Sequence, residues 1–412
     1  MRLAYVVSRF PHASETFIAR ELAALEDSRG ETIDLLALFP PVDSTLHPSA
    51  ARFAGRLMRP GAREAVAATG WWAVRRPLRL ASSLGVVVRE HLRSPGLLWR
   101  ALVTFPLAAA HARAVRRRGV EHVHAHYATY PALSAWICRR LAGTPYSITA
   151  HAHDIFVDQS MLRRKLADAS FTVTISEFNR RYLSRFADPE RIYVVHAGID
   201  VSAYTFRPRA VPQEGPVRAL CVASLQEYKG HAVLLEALAG APALERVELE
   251  LVGSGPLRAE LEERVARLGL SPRVRFAGSV PEDVVRSLLE RADLLVLPSV
   301  VARDGQMEGL PVVLMEALAS GVPVVATRLS GVPELVEHER MGLLAAPGDP
   351  ADLRNALERV VSGRFEPDLA EGRALVERSF DVAHSAVGLG HLFESARESA
   401  LEQTSSKVAS SP

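Results

Sequence analysis

Cysteine and lysine are both scarce in this chain of 412 residues. The two cysteines, Cys138 and Cys221, stand 83 positions apart in apolar surroundings. That is too few and too isolated for a disulfide framework or a metal knuckle, and it fits a reducing cytoplasm. Long apolar runs are missing as well. The nearest, 101–110, is about half the roughly 18 residues of a membrane-spanning helix, so any membrane association is expected to be peripheral, on the inner face of the cell membrane. The opening MRLAYVV is broken at Ser8 and Arg9 and lacks a small-residue cleavage site, and so reads as a first strand rather than a signal peptide. Lysine occurs only at positions 165, 229 and 407, against 46 arginines.

What is present describes a globular protein. Hydrophobic residues make up 48% of the chain and charged residues 23%, enough for a sizeable core. At roughly 150 residues per domain, the length suggests two domains. The formal charge of +2 hides an asymmetry: between Arg52 and Val120 there are fourteen arginines against Glu64 and Glu90, a net of +12, which leaves −10 for everything else. Trp71, Trp72 and Trp99 interleave with those arginines at helical spacing, so 52–119 reads as an amphipathic helical insertion. Such a segment suits an anionic membrane surface, with arginines among headgroups and aromatics at the interface, or simply a solvated face whose arginines cover apolar stems. No recognition motif accompanies the charge, and no nucleic-acid partner is expected.

Short β-branched runs alternate with helical patterns along most of the chain, the mark of α/β architecture with parallel sheets. Strands are expected at 3–8, 33–39, 122–126, 146–150, 171–175 and 192–196. A second series is expected at 217–223, 247–252, 274–276, 294–297 and 323–326. Between the two series, YTFRPRAVPQEG has two prolines and no period. The expected organisation is therefore 1–203, a linker at 204–215, and 216–380. A helix at 381–401 is expected to return to the first domain, followed by a disordered polar tail at 402–412. In open parallel sheets ligands sit beyond the carboxyl ends of the strands, so the loops there carry the chemistry.

The densest such loop is EGLPVVLME, from Glu308 to Glu316. Pro311 suits a helix start, and the N–H groups of Val312 and Val313 with the helix dipole make a seat for phosphate oxygens. Two carboxylates beside an anion site would repel phosphate unless they bind hydroxyls, and a sugar nucleotide offers hydroxyls on both sides of its diphosphate. In the first half, Thr149-Ala150-His151-Ala152-His153-Asp154 follows an expected strand. His124 and His126 alternate on the strand before it; His-x-His also suits a metal, but no third ligand stands at a set spacing, and no metal is expected.

Glu308 to Glu316, inside EGLPVVLMEALASGVPVVATRLSGVPELV, resembles the signature of glycosyltransferase family 4, the retaining nucleotide-sugar-dependent enzymes of the GT-B fold. Supporting matches are LQEYKG at 225–230, LVGSGP at 251–256, VRFAG at 274–278 and HAGID at 196–200. SRFP at 8–11 and SETF at 14–17 resemble the colanic-acid and exopolysaccharide branch. The resemblance implies two Rossmann-like domains facing a central cleft, the first for the acceptor and the second for the donor. It implies a hexosyl transfer with retention, needing no metal cofactor, in polysaccharide or glycolipid assembly.

Carried over by position, His151, Lys229 and Glu308 would be catalytic: His151 near the anomeric carbon, Lys229 on the departing diphosphate, Glu308 on hexose hydroxyls. Glu316 would hold the ribose. Ser224, Gly253, Gly255, Gly309, Leu310, Pro311 and Val312 would complete the donor site. Ser14, Glu15, Thr16, His126 and Asp154 would face the acceptor or the cleft. The family usually has an arginine where this chain has Ser224, which shifts leaving-group stabilisation to Lys229, the helix start and Arg303. A non-catalytic sugar-nucleotide sensor or scaffold and a GT-B epimerase are the alternatives.

Overall fold

The computed structural model describes residues 1–11, 16–30, 33–41 and 51–409. The chain forms two units, Met1–His196 with Val382–Pro412, and Ala197–Asp381.

The first unit holds strands β1 Leu3–Arg9, β2 Asp34–Phe39, β3 Leu57–Met58, β4 His122–His126, β5 Tyr146–Ala150, β6 Thr172–Thr174 and β7 Ile192–Val194. Its helices are α1 Thr16–Arg29, α2 Ala62–Arg75, α3 Pro77–His91, α4 Pro95–Arg118, α5 Tyr130–Ala142, α6 His153–Phe156, α7 Leu162–Asp168 and α8 Glu177–Leu183. The strands make one parallel sheet in the order β3-β2-β1-β4-β5-β6-β7. Because successive side chains point to opposite faces, β1 feeds two cores at once. Ala4 and Val6 join Trp72, Phe105, Ala108 and Trp136 on one face, while Leu3, Tyr5 and Val7 join Ile18, Leu22 and Phe53 on the other.

The second unit repeats the scheme with β8 Val217–Val222, β9 Val247–Val252, β10 Val274–Gly278, β11 Leu294–Leu297, β12 Val324–Thr327 and β13 Leu343–Ala345. Its helices are α9 His231–Leu238, α10 Arg258–Arg267, α11 Glu282–Leu289, α12 Val312–Ser320, α13 Val332–Leu335, α14 Pro350–Val361 and α15 Leu369–Ser379. The parallel order is β10-β9-β8-β11-β12-β13. Both sheets reverse direction beside their first strand, between β1 and β4 and between β8 and β11, the switch points where doubly wound sheets open a crevice. The last helix, α16 Val382–Ala409, belongs to the first unit and places Ala386, Leu389 and Phe393 in the core beside Tyr5.

Three points of organisation differ in detail from the expectations. The chain leaves the first unit at His196, ahead of the expected linker at 204–215. The proline-rich stretch is held in the second unit, where the Arg207 and Arg209 N–H groups donate at 3.1 Å to the Ser320 and Gly321 carbonyls at the end of α12. Helix C-termini leave such carbonyls open, and an extended strand of donors fills them. The tail at 402–412, expected to be disordered, is helical as far as Ala409. Extending a formed helix adds one hydrogen bond per residue, and this polar sequence contains no proline before the last position. The arginine-rich stretch 52–119, expected to be a helical insertion, is helical from Ala62 to Arg118 apart from short breaks, but it also supplies the edge strand β3 and packs into the core. Trp72 is fully buried, its Nε1 donates to the Ala109 carbonyl at 3.0 Å, and α4 lines the core.

Candidate functional site

In the second unit the loops after β8 and β11 meet at the switch point. The first ends in a tight turn, Glu227–Lys229, closed by Gly230 at φ +69°. A Cβ at Gly230 would overlap the Pro298 carbonyl that follows β11, so only glycine lets the two loops touch. Val300 N–H donates to the Tyr228 carbonyl at 2.8 Å and locks them. This brings Lys229 Nζ onto Glu308 Oε2, with side-chain exposures of only 14% and 11%. Burial alone would pull the Lys229 pKa down, but the Glu308 carboxylate outweighs it and the net shift is upward, so the ammonium stays charged.

Glu308 is fixed from three sides. Ser299 Oγ donates to the same Oε2 at 3.3 Å, and Ser330, in the loop after β12, donates to the Glu308 and Gly309 carbonyls at 2.6 and 2.9 Å. Thr327 in turn holds the Ser299 carbonyl at 2.6 Å. Ser299, Ser330 and Gly230 did not stand out as site residues in the sequence; their positions just beyond β11, β12 and β8 were the available signal. Gly309, Leu310 and Pro311 are buried, and Pro311 is the extended cap residue (φ −78°, ψ 117°), so the helix starts one residue later than expected, at Val312. Glu316 lies in the second turn of α12 and is buried. Gly253, at φ +141°, and Gly255 lie against the Ala223 and Leu225 carbonyls, which a Cβ would meet. Ser224, half-buried between those two residues, is thereby tied to the glycine loop: Leu225 N–H donates to the Ser254 carbonyl at 2.9 Å. Arg303 is apart from this group, 94% exposed and facing Glu227 at 3.5 Å, so it does not neutralise charge beside Lys229.

In the first unit, β4 and β5 are neighbours in register His126 with Thr149, which puts His151, one residue past β5, against His126. Their Nε2 atoms are 2.7 Å apart. Burial, and then the neighbouring His126, push the His151 pKa well below its ordinary value, so the ring is neutral. Asp154 and His126 were expected to line a cleft; both are fully buried. The Asp154 carboxylate takes N–H bonds from Ala128 at 2.7 Å and His151 at 2.9 Å, stapling the loops after β4 and β5. A short carboxylate near open N–H groups satisfies backbone first. Ser14 and Glu15 lie outside the described residues, and Thr16 opens α1 with its side chain outside them.

Sequence spacing offered no third partner for the His-x-His pair, but the fold supplies one. Glu21 on α1 brings a carboxylate oxygen into a group with His124 and His126 whose ligand-type atoms lie within 4.8 Å of one another. Both ring nitrogens of His124 are engaged, at 2.8 Å, by the Ser147 and Thr149 hydroxyls.

Two family models match this chain, Glycosyltransferase Family 4 over 48–203 and Glycosyl transferases group 1 over 216–362. The protein belongs to the family 4 glycosyltransferases. The first model includes the arginine-rich helices, which are thus part of the family's domain. The amylovoran biosynthesis glycosyltransferase of Erwinia amylovora is 28% identical over 407 residues, covering 92% of this chain and 96% of that one. A putative colanic acid biosynthesis glycosyltransferase of Escherichia coli is 35% identical over 196 residues, 47% and 48% of the two chains. Anabaena HepE, solved with UDP and glucose, superposes with a TM-score of 0.70 at 19% identity, covering 96% of this chain and all of that one; the shared fold is GT-B. Among the described residues no helix is long and apolar enough to cross a membrane.

Proposed function

We propose that this glycosyltransferase is a retaining hexosyltransferase, moving a sugar from a nucleoside diphosphate to a hydroxyl of a glycan or lipid-linked acceptor in exopolysaccharide or glycolipid synthesis. The observation that carries this reading is the largely buried Lys229–Glu308 pair at the switch point, beside the start of α12. A cation next to a helix N-terminus suits a diphosphate, and a carboxylate suits sugar hydroxyls. The solved neighbour with UDP and glucose supports the donor class, and the amylovoran relative the class of product.

In the proposed reaction the acceptor oxygen attacks the anomeric carbon on the face the diphosphate leaves. The carbon–oxygen bond to the diphosphate breaks, and a diphosphate oxygen takes the acceptor's proton. Lys229 and the α12 N–H groups stabilise the charge that develops there, with no need for a divalent cation. Glu308 orients the hexose, Glu316 the ribose, and His151 touches the transferred sugar. Thermal shifts with UDP-, GDP- and ADP-sugars identify the donor, because a ligand of the native state raises its stability. Slow release of nucleoside diphosphate then separates an enzyme from a sensor, and the anomeric configuration of the product tests retention. Inversion, or strict Mn²⁺ dependence, refutes the mechanism.

A peripheral membrane partner is proposed on a separate observation. Of the eleven large apolar side chains exposed among the described residues, seven lie between Val66 and Val103. Helix α3 buries Ser83, Val87 and His91 on one side and turns Leu78, 84% exposed, outward; Leu92 just past its end is exposed too, as are Arg79, Arg89 and Arg93. Trp99, 69% exposed, follows at the start of α4. This is the composition of a surface that rests on anionic headgroups. Co-sedimentation with vesicles should rise with anionic lipid and fall with salt; indifference to both refutes it.

A further inference from the structure

Strand β4 carries three buried histidines for which sugar transfer gives no account. Two are satisfied by hydroxyls: His122 Nε2 and His124 Nδ1 share Ser147 at 2.8 Å, and His124 Nε2 meets Thr149 at 2.8 Å. His126 is different. Its Nε2 lies 2.7 Å from His151 Nε2, while its buried Nδ1 makes no hydrogen bond among the described residues and has the Glu21 Oε1 carboxylate oxygen at 3.5 Å, near enough for charge to bias where the proton sits. The same Glu21 oxygen accepts from the Tyr5 hydroxyl at 3.2 Å. Around His151, the rings of Phe17 at 5.3 Å and Tyr127 at 4.7 Å fix the imidazole. Among the described residues His151 Nδ1 has no hydrogen-bond partner, and it is not among the buried unpaired atoms, so it is the nitrogen open to a ligand.

Two ring nitrogens at 2.7 Å need one donor and one acceptor, and each neutral imidazole has a single N–H to give. Which way the pair is wired is decided at its far end. A carboxylate only accepts, so Glu21 favours His126 with its proton on Nδ1. His126 Nε2 is then bare and must accept from His151 Nε2–H, which leaves His151 Nδ1 bare as well. The opposite wiring would aim the His126 Nδ1 lone pair at the carboxylate, lone pair against negative charge.

We propose that Glu21, acting through His126, holds His151 as the Nε2–H tautomer, so that its open Nδ1 meets the substrate as a hydrogen-bond acceptor for a sugar hydroxyl. Glu21 and His126 are positioning residues. The role at the substrate rests on the reading of His151 given above; the tautomer does not.

The test is a long-range proton–nitrogen spectrum of the full chain labelled with ¹⁵N-histidine, His151 being assigned by the signals lost in His151→Gln. The wild-type protein should show a protonated Nε2 and an unprotonated Nδ1 at His151. In Glu21→Gln, whose amide can donate as well as accept, the single tautomer should be lost, with the melting temperature as a check on folding. A protonated Nδ1 in the wild type, or an unchanged His151 in folded Glu21→Gln, overturns the proposal. So does stoichiometric zinc held by Glu21, His124 and His126, because the metal would then occupy His126 Nδ1. Turnover separates the two readings: kcat for donor cleavage should fall about tenfold or more in Glu21→Gln with little change in donor KM, as losing an orienting partner does. A shifted tautomer with unchanged kcat leaves the wiring intact and removes His151 from the reacting sugar.

Discussion

Replacing Lys229 with alanine should act twice, and the two effects can be measured apart. The lost ammonium is the cation proposed above to meet a departing diphosphate. Removing one preorganised electrostatic donor costs about 100- to 1,000-fold in kcat, roughly 2.7–4 kcal/mol. The same change strands Glu308, which is 8% exposed and, among the described residues, keeps only the Ser299 hydroxyl at 3.3 Å on that oxygen. Breaking a largely buried pair by removing one partner costs about 3 kcal/mol. For a unit of this size, each kcal/mol moves the melting temperature by about 2–4 °C, so a fall of about 6–12 °C is expected. The double variant Lys229→Ala with Glu308→Gln should recover much of that fall, because no charge is left buried, while turnover stays low. The assay is nucleoside diphosphate release at saturating donor, run beside a thermal melt. A folded Lys229→Ala with kcat within a few-fold of wild type would sink the assigned role.

Acid should destabilise the protein. Burial lowers the His111 pKa to about 4 and that of His122 to about 3, against 6.5 in the unfolded chain. The unfolded state therefore binds protons that the folded state refuses, and the stability present above pH 6.5 drains at up to about 1.4 kcal/mol per pH unit and histidine until those lower values are reached. Equal melting temperatures at about pH 7.5 and about pH 5 would contradict this. Gly230→Ala combines an unfavourable φ of +69° with an overlap at the Pro298 carbonyl, and should cost at least about 2 kcal/mol and displace Lys229; a melt unchanged from wild type would show that the turn relaxes freely. The tryptophans should divide cleanly. Trp72→Ala removes a fully buried ring and its 3.0 Å bond to Ala109, costing about 3–5 kcal/mol, whereas Trp99→Ala should stay within about 0.5 kcal/mol and lower vesicle binding instead.

Strands β4, β5, β9 and β11 have the extents expected of them: β11, LLVL, is buried on both faces and reads as a continuous apolar run, whereas β9, VELELV, alternates apolar residues with the glutamates of its other face. Short elements such as β3 and β13 were missed: two or three residues carry too little periodicity to stand above background, and neighbouring strands decide whether they pair. The arginine-rich stretch revealed its helices but not their burial, since a face packed inward and a face turned to solvent can share one composition.

The same division runs through the site. The order of motifs along the chain was enough to identify the family, and it singled out Lys229, Glu308 and His151, because loops that follow strands must carry whatever chemistry a doubly wound sheet performs. Spacing says nothing about residues 79 positions apart meeting, so the Lys229–Glu308 contact, and with it the charge on a buried lysine, exists only once β8 and β11 lie side by side. Glu21 is the stronger case. It is one acid on an ordinary amphipathic helix, 105 positions from His126, and only the packing of α1 against the sheet puts a carboxylate beside a histidine that touches another histidine. Burial and charge are properties of neighbours, and neighbours across a sheet are chosen by tertiary structure.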